Sequence, residues 1–81
     1  MNPQRVAELI QAGLAGSRAT VTSDDNVHFE AVVIAAAFAG KRPLQRHQLV
    51  YATLGDAVGN EIHALALQVF TPEEHASRAF G

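Results

Sequence analysis

Between Phe38 and Leu67 the chain reads FAGKRPLQRHQLVYATLGDAVGNEIHALAL, and this run leaves few folds open. Gly40 marks a turn. Pro43 holds Arg42 out of helical geometry, because its ring crowds the backbone of the residue before it. A helix-period run begins at about Leu44 and extends to about Gly55, resuming as a short turn to Val58 before Gly59-Asn60. His47, Val50, Leu54 and Val58 fall on one side of it. Glu61–Phe70 then reads as a strand, with His63, Leu65, Leu67 and Val69 on one face. Two features exceed what folding asks for. Lys41, Arg42 and Arg46 gather at a helix N-terminus, where the macrodipole disfavours cations. His63 stands at the mouth of an otherwise apolar strand. Both call for a partner.

The flanking segments supply the rest of a domain. Asn2-Pro3 opens a helix, with Asn as the N-cap and Pro at the first helical position. Val6, Leu9, Ile10 and Leu14 give that helix, about Pro3–Ala15, one apolar stripe, and Gly16 is its stop. Arg18–Ser23 alternates β-branched residues and reads as a first strand. Ser23-Asp24-Asp25-Asn26 is a turn, since these side chains bond their own backbone. His28–Ala35 is the second strand, with Phe29, Ala31, Val33 and Ala35 on one face; apolar residues on both faces from Val32 onward place it centrally in a sheet. Thr71-Pro72-Glu73-Glu74 is a capping box that starts a short C-terminal helix.

Strands one and two form a hairpin, whereas the helical crossover to strand three requires a parallel pairing. The expected fold is therefore α+β, in the order αββααβα, with helices on one face of a three-stranded mixed sheet. Residues 1–81 form a single domain, without repeats or linkers. At this length a core buries only about 60–70% of the unfolded surface, and with no cysteine in the chain packing alone must hold it. There is equally no thiolate ligand and no Cys nucleophile. No apolar run approaches a membrane span, and MNPQRVAELI lacks the layout of a signal peptide, so a cytoplasmic location and no membrane contact are expected. The net charge of −2 is unlike that of a general nucleic-acid binder, but three of the six Lys/Arg residues fall within Lys41–Arg46. The result is a basic patch on an acidic body.

Phe38, Gly40, Lys41, Arg46, His47, Val50 and Tyr51, followed by Ile62-His63-Ala64-Leu65 and Thr71-Pro72, together resemble the BolA family. The resemblance runs from about Val6 to Glu74, and chain length and the short loop between strands one and two are most similar to the small bacterial members of the IbaG type. It implies a fold related to the class II KH domain. It also implies partnership with a monothiol glutaredoxin, whose cysteine, with glutathione, holds one side of a shared [2Fe–2S] cluster while BolA histidines approach the other. His63 matches the histidine of the family's I/V-H-A-L strand and is the ligand that the resemblance implies. The family often carries a second Cys or His between strands one and two. Here Thr22–Val27 has neither, and His28 at its end is the candidate. Where the family usually has Trp after T-P-x-E, this chain has His75. On this reading the chain is an adaptor in iron–sulfur trafficking or iron homeostasis, with Lys41, Arg42, Arg46 and His47 lining the partner surface. Alone it carries no cofactor and is a monomer or weak homodimer.

The chemistry agrees with the resemblance. A neutral imidazole is a good ligand for iron, and replacing Cys by His raises a cluster's potential. A chain without cysteine needs a thiol-bearing partner. The alternative is a nucleic-acid-binding transcriptional regulator, with DNA held by the Lys41–His47 segment. A KH domain clamps nucleic-acid backbone with a G-x-x-G loop; Gly40-Lys41-Arg42-Pro43 has no second Gly, and an acidic body would bind with steep salt dependence. Neither a nucleophile elbow nor a phosphate loop occurs, and no two histidines stand four apart as a helical zinc pair would. An enzyme is not expected.

Overall fold

The computed structural model describes residues 1–80, the last two by backbone alone. The elements are α1 (Pro3–Gly13), β1 (Arg18–Thr22), β2 (His28–Ile34), α2 (Pro43–Leu54), β3 (Ala64–Phe70) and α3 (Pro72–Phe80), with 3-10 turns at Ala36–Phe38 and Gly55–Ala57. This is the expected α+β order. The sheet runs β1-β2-β3 with β2 central. β1 pairs antiparallel with β2, from Arg18 opposite Ile34 to Thr22 opposite Glu30. β3 pairs parallel with β2, from His28 opposite Ala64 to Ile34 opposite Phe70.

Local chemistry sets the boundaries. Asn2 Oδ1 accepts the Arg5 N–H at 2.8 Å and starts α1. The helix ends at Gly13, two residues short of the expected Ala15, because Leu14 leaves helical geometry (φ −123°, ψ 96°) and turns its side chain into the core. Gly13 itself is a contact point between α1 and α2, since a Cβ there would lie 2.5 Å from Thr53 Cγ2. β1 stops at Thr22 rather than Ser23, whose hydroxyl is taken into the following turn. β2 ends at Ile34 rather than Ala35, although the Ala35 N–H still donates to the Phe70 carbonyl at 3.0 Å. The third strand starts at Ala64 and not at Glu61. Gly59 N–H bonds to the Ile62 carbonyl, and Ile62 N–H to the Ala57 carbonyl, each at 2.8 Å, so Glu61–Ile62 close a separate turn and His63 lies in the bend before the strand.

The core is the alternating inner face of β2, Phe29, Ala31 and Val33, covered by Val6 and Ile10 of α1 and by Val50 and Leu54 of α2. Phe38 and Ile62 plug its two ends, both fully buried. On β3, Leu65, Leu67 and Val69 are half-buried on the inner side while Ala64, Ala66 and Gln68 are exposed. α3 attaches at the C-terminal end of the sheet, where the Arg78 guanidinium lies 4.3 Å from the centroid of the Phe70 ring. The capping box closes as the sequence implies: Thr71 N–H donates to Glu74 Oε1 at 2.8 Å and Glu74 N–H to Thr71 Oγ1 at 3.2 Å. Among the described residues no helix is long and apolar enough to cross a membrane.

Candidate functional site

The parallel register of β2 and β3 brings both candidate histidine ligands to one end of the sheet. His28 begins β2 opposite Ala64, and the residue before Ala64 is His63. The His63 N–H donates to the Val27 carbonyl at 2.9 Å, so the two histidines sit at adjacent strand ends, on strands about 4.8 Å apart. His63 is exposed, and among the described residues its ring has no hydrogen-bond partner.

His28 is held. Asp25 closes the β1–β2 turn by accepting, on Oδ1, the N–H groups of Val27 (3.0 Å) and His28 (2.9 Å), while Oδ2 lies 2.7 Å from His28 Nδ1. Ser23 braces the same turn: its hydroxyl donates to the His28 carbonyl at 2.6 Å and accepts the Asn26 N–H at 2.9 Å. The His28 backbone N–H, followed by the His28 ring and the Val27 N–H, holds the Asp25 carboxyl well below the usual carboxylate range. An ionised carboxylate only accepts, so Nδ1 carries the proton and Nε2 is left open. A carboxylate on one ring nitrogen fixes tautomer and orientation for a ligand at the other. The Asp25–His28 pair is present in the sequence as an i, i+3 spacing across the turn, where the backbone chemistry of Ser23–Asn26 is the more conspicuous signal.

The end of the sheet offers two imidazoles as candidate ligands. Among the described residues no three His, Cys, Asp or Glu side chains come together as a metal site. Two imidazoles at one end can complete coordination begun by another molecule, and they cannot supply it alone. A [2Fe–2S] group held jointly would use His63 and Nε2 of His28.

The basic segment lies elsewhere. β2 spans roughly 20 Å, and Lys41–His47 follows its far end, where the Ala35 and Phe70 backbones meet. The structure thus places the basic segment and the histidines at opposite ends of the sheet. Within the segment, Lys41 and Arg42 are exposed and His47 is half-buried on α2. Arg46 does not stand with them. Its Nε donates to the Lys41 carbonyl at 2.9 Å, and its two terminal nitrogens reach Glu74 Oε1 at 2.6 Å and Oε2 at 3.2 Å. Its side chain is only 11% exposed, and its guanidinium lies 5.9 Å from the centroid of the Phe38 ring. The pairing raises the Arg46 pKa and brings Glu74 down to about 2, through the Arg46 hydrogen bonds first and the Thr71 N–H second. Arg46 ties α2 to α3, a partnership across 28 residues that spacing alone does not reveal. The cost of a cation near a helix N-terminus is met by this carboxylate and by the Lys41 carbonyl.

Comparison with known proteins shows the family. The chain is 49% identical over 47 residues to the DNA-binding transcriptional regulator BolA of Haemophilus influenzae, covering 58% of this chain and 46% of that protein. It is 43% identical over 54 residues to human BolA-like protein 1, covering 67% of this chain and 39% of that protein. The chain thus matches less than half the length of these two relatives. A solved BolA homologue from Coxiella burnetii superposes with a TM-score of 0.85 at 39% identity, covering 94% of this chain and 97% of that one. The family model for BolA-like protein matches residues 11–74, and the chain belongs to the BolA family.

Proposed function

We propose that the chain is a BolA-type adaptor that binds a monothiol glutaredoxin and completes, from its histidine end, a glutathione-assisted [2Fe–2S] cluster held mainly by that partner. The carrying observation is the meeting of His63 and His28 at adjacent ends of parallel strands, with His28 Nδ1 on Asp25 and Nε2 open. The partner contributes the thiolates that this chain lacks. The shared cluster supplies iron–sulfur chemistry, and imidazole ligation raises its potential above that of an all-thiolate cluster. This chain's own part is to orient two imidazoles: the β1–β2 turn fixes one, and the bend after Ile62 positions the other. The cellular role is iron–sulfur trafficking or iron homeostasis, and no catalytic step is assigned.

A second reading is favoured by the name of the Haemophilus relative and by the exposure of Lys41 and Arg42. In it the far end of a KH-like fold contacts nucleic-acid phosphates. With Arg46 committed to Glu74, two of the three cations face a ligand, so this binding is weak and strongly salt-dependent.

The test is co-purification with a monothiol glutaredoxin under cluster-assembling conditions, read by visible absorption and circular dichroism. Wild type is expected to give a histidine-ligated cluster spectrum that His63→Ala changes or removes. A complex that forms only without cluster, or a spectrum unchanged in His63→Ala, overturns the ligand assignment. No complex at all overturns the adaptor reading.

A further inference from the structure

The face of the sheet opposite α1 and α2 is uncovered beside His28. Thr22, Asp24, His28, Glu30, Ala64 and Ala66 line a hollow of about 510 Å³ there. A narrower groove of about 200 Å³ continues from it along the sheet, between Thr20, Thr22, Glu30, Ala66 and Gln68. Thr22, Glu30 and Ala66 belong to both, so the two form one trough that starts at the open imidazole. Near His28 the exposed β3 side chains of the trough are the alanines Ala64 and Ala66, which let another chain's backbone come close.

Glu30 sits in the middle of this trough. It is exposed, and its cross-strand neighbours are Thr22 and Ala66, neither of which carries a charge. Among the described residues it has no ion pair and no side-chain hydrogen bond. No Lys or Arg lines either part of the trough. Five of the chain's six cations lie at the other end of the molecule: Lys41, Arg42 and Arg46 around the α2 start, Arg18 opposite Ile34, and Arg78 over Phe70. A carboxylate in an uncovered trough, beside the carboxylate of Asp24, repels a nucleic acid and attracts a cationic protein surface.

Building on the adaptor reading, we propose that this trough is the seat of the glutaredoxin, and that a Lys or Arg side chain of the partner pairs with Glu30. The trough's continuity with His28 aligns the docked partner with the His28 imidazole. Docking is then set by the acidic sheet face, and the Lys41–Arg42 surface remains free while the partner is bound.

The experiment measures affinity for a cluster-free monothiol glutaredoxin by calorimetry at low and high salt. It compares wild type, Glu30→Lys, Glu30→Gln and the double variant Lys41→Glu/Arg42→Glu. Thermal unfolding of each variant reports whether the fold is kept, and Glu30→Gln, which preserves shape, carries the result if the reversal disturbs folding. Glu30→Lys is expected to weaken binding about tenfold or more, with a shallower salt dependence. Glu30→Gln should lose less, and the double variant should bind as wild type does. Wild-type affinity in both Glu30 variants overturns the proposal while leaving the adaptor reading in place, as does a loss confined to the double variant. Failure of wild type itself to bind overturns both.

Discussion

The two ends of the sheet use their polar side chains in opposite ways. At the end where β2 and β3 finish, the central cation of the basic cluster is consumed by architecture. Arg46 is folded onto Glu74, the Lys41 carbonyl and the Phe38 ring, and Phe38 is fully buried. At the end where β2 and β3 begin, the turn spends its hydrogen bonds on aiming one imidazole, and His63 stays exposed with its ring unengaged among the described residues. A charge cluster is therefore a poor guide to a binding surface until its internal partners are known. An exposed histidine held by a carboxylate is a better one.

Substitutions should separate the ends. Phe38→Ala removes a fully buried ring and should cost about 3–5 kcal/mol in chemical denaturation, a large share of the stability of a domain this small. His63→Ala should stay within about 0.5 kcal/mol of wild type, as an exposed substitution does, while abolishing the cluster spectrum. Equal losses of stability at the two positions would break the contrast.

Asp25→Ala should act in between. Loss of the carboxylate that fixes a ligand's tautomer is expected to weaken cluster retention by about tenfold or more. Competition with a chelator would measure it, and retention equal to wild type would remove His28 from the ligand set.

The smallest effect is the acid limb at the far end. Glu74 falls from 4.5 to about 2 in the folded protein. A carboxylate depressed on folding contributes stability above its unfolded value and loses it as pH falls through the folded one. Glu74 therefore contributes fully above about pH 4.5, and its contribution drains away toward pH 2. Glu74→Gln should lower stability at neutral pH and flatten that part of the pH profile. An unchanged acid limb would mean the Arg46–Glu74 pair contributes nothing in solution.

Much of this was legible in the sequence. The Asn2 cap, the Ser23–Asn26 turn, the hairpin, the helix start expected at about Leu44 and found at Pro43, the parallel crossover and the Thr71–Glu74 box are legible signals, and each recurs in the structure within a few residues. What escaped was non-local. The Arg46–Glu74 pair joins segments that meet only once α2 and α3 are docked. The late start of β3 follows from the Ala57–Ile62 hydrogen bond and the burial of Ile62, which periodicity cannot see because Ile62 and His63 alternate as strand residues would. The separation of the basic segment from the histidines was implicit in the parallel register, since helix and strand lengths alone put α2's start and β3's start at opposite ends. The Asp25–His28 pair needed only its spacing to be read as chemistry.

The most direct test of this division of labour is amide chemical-shift mapping of the ¹⁵N-labelled chain titrated with an unlabelled, cluster-free monothiol glutaredoxin. The expected perturbations fall on Ser23–Glu30 and on residues 61–66, with Lys41–His47 unmoved. Shifts concentrated on Lys41–His47, with the histidine end silent, would contradict the account and return the basic segment to the partner surface.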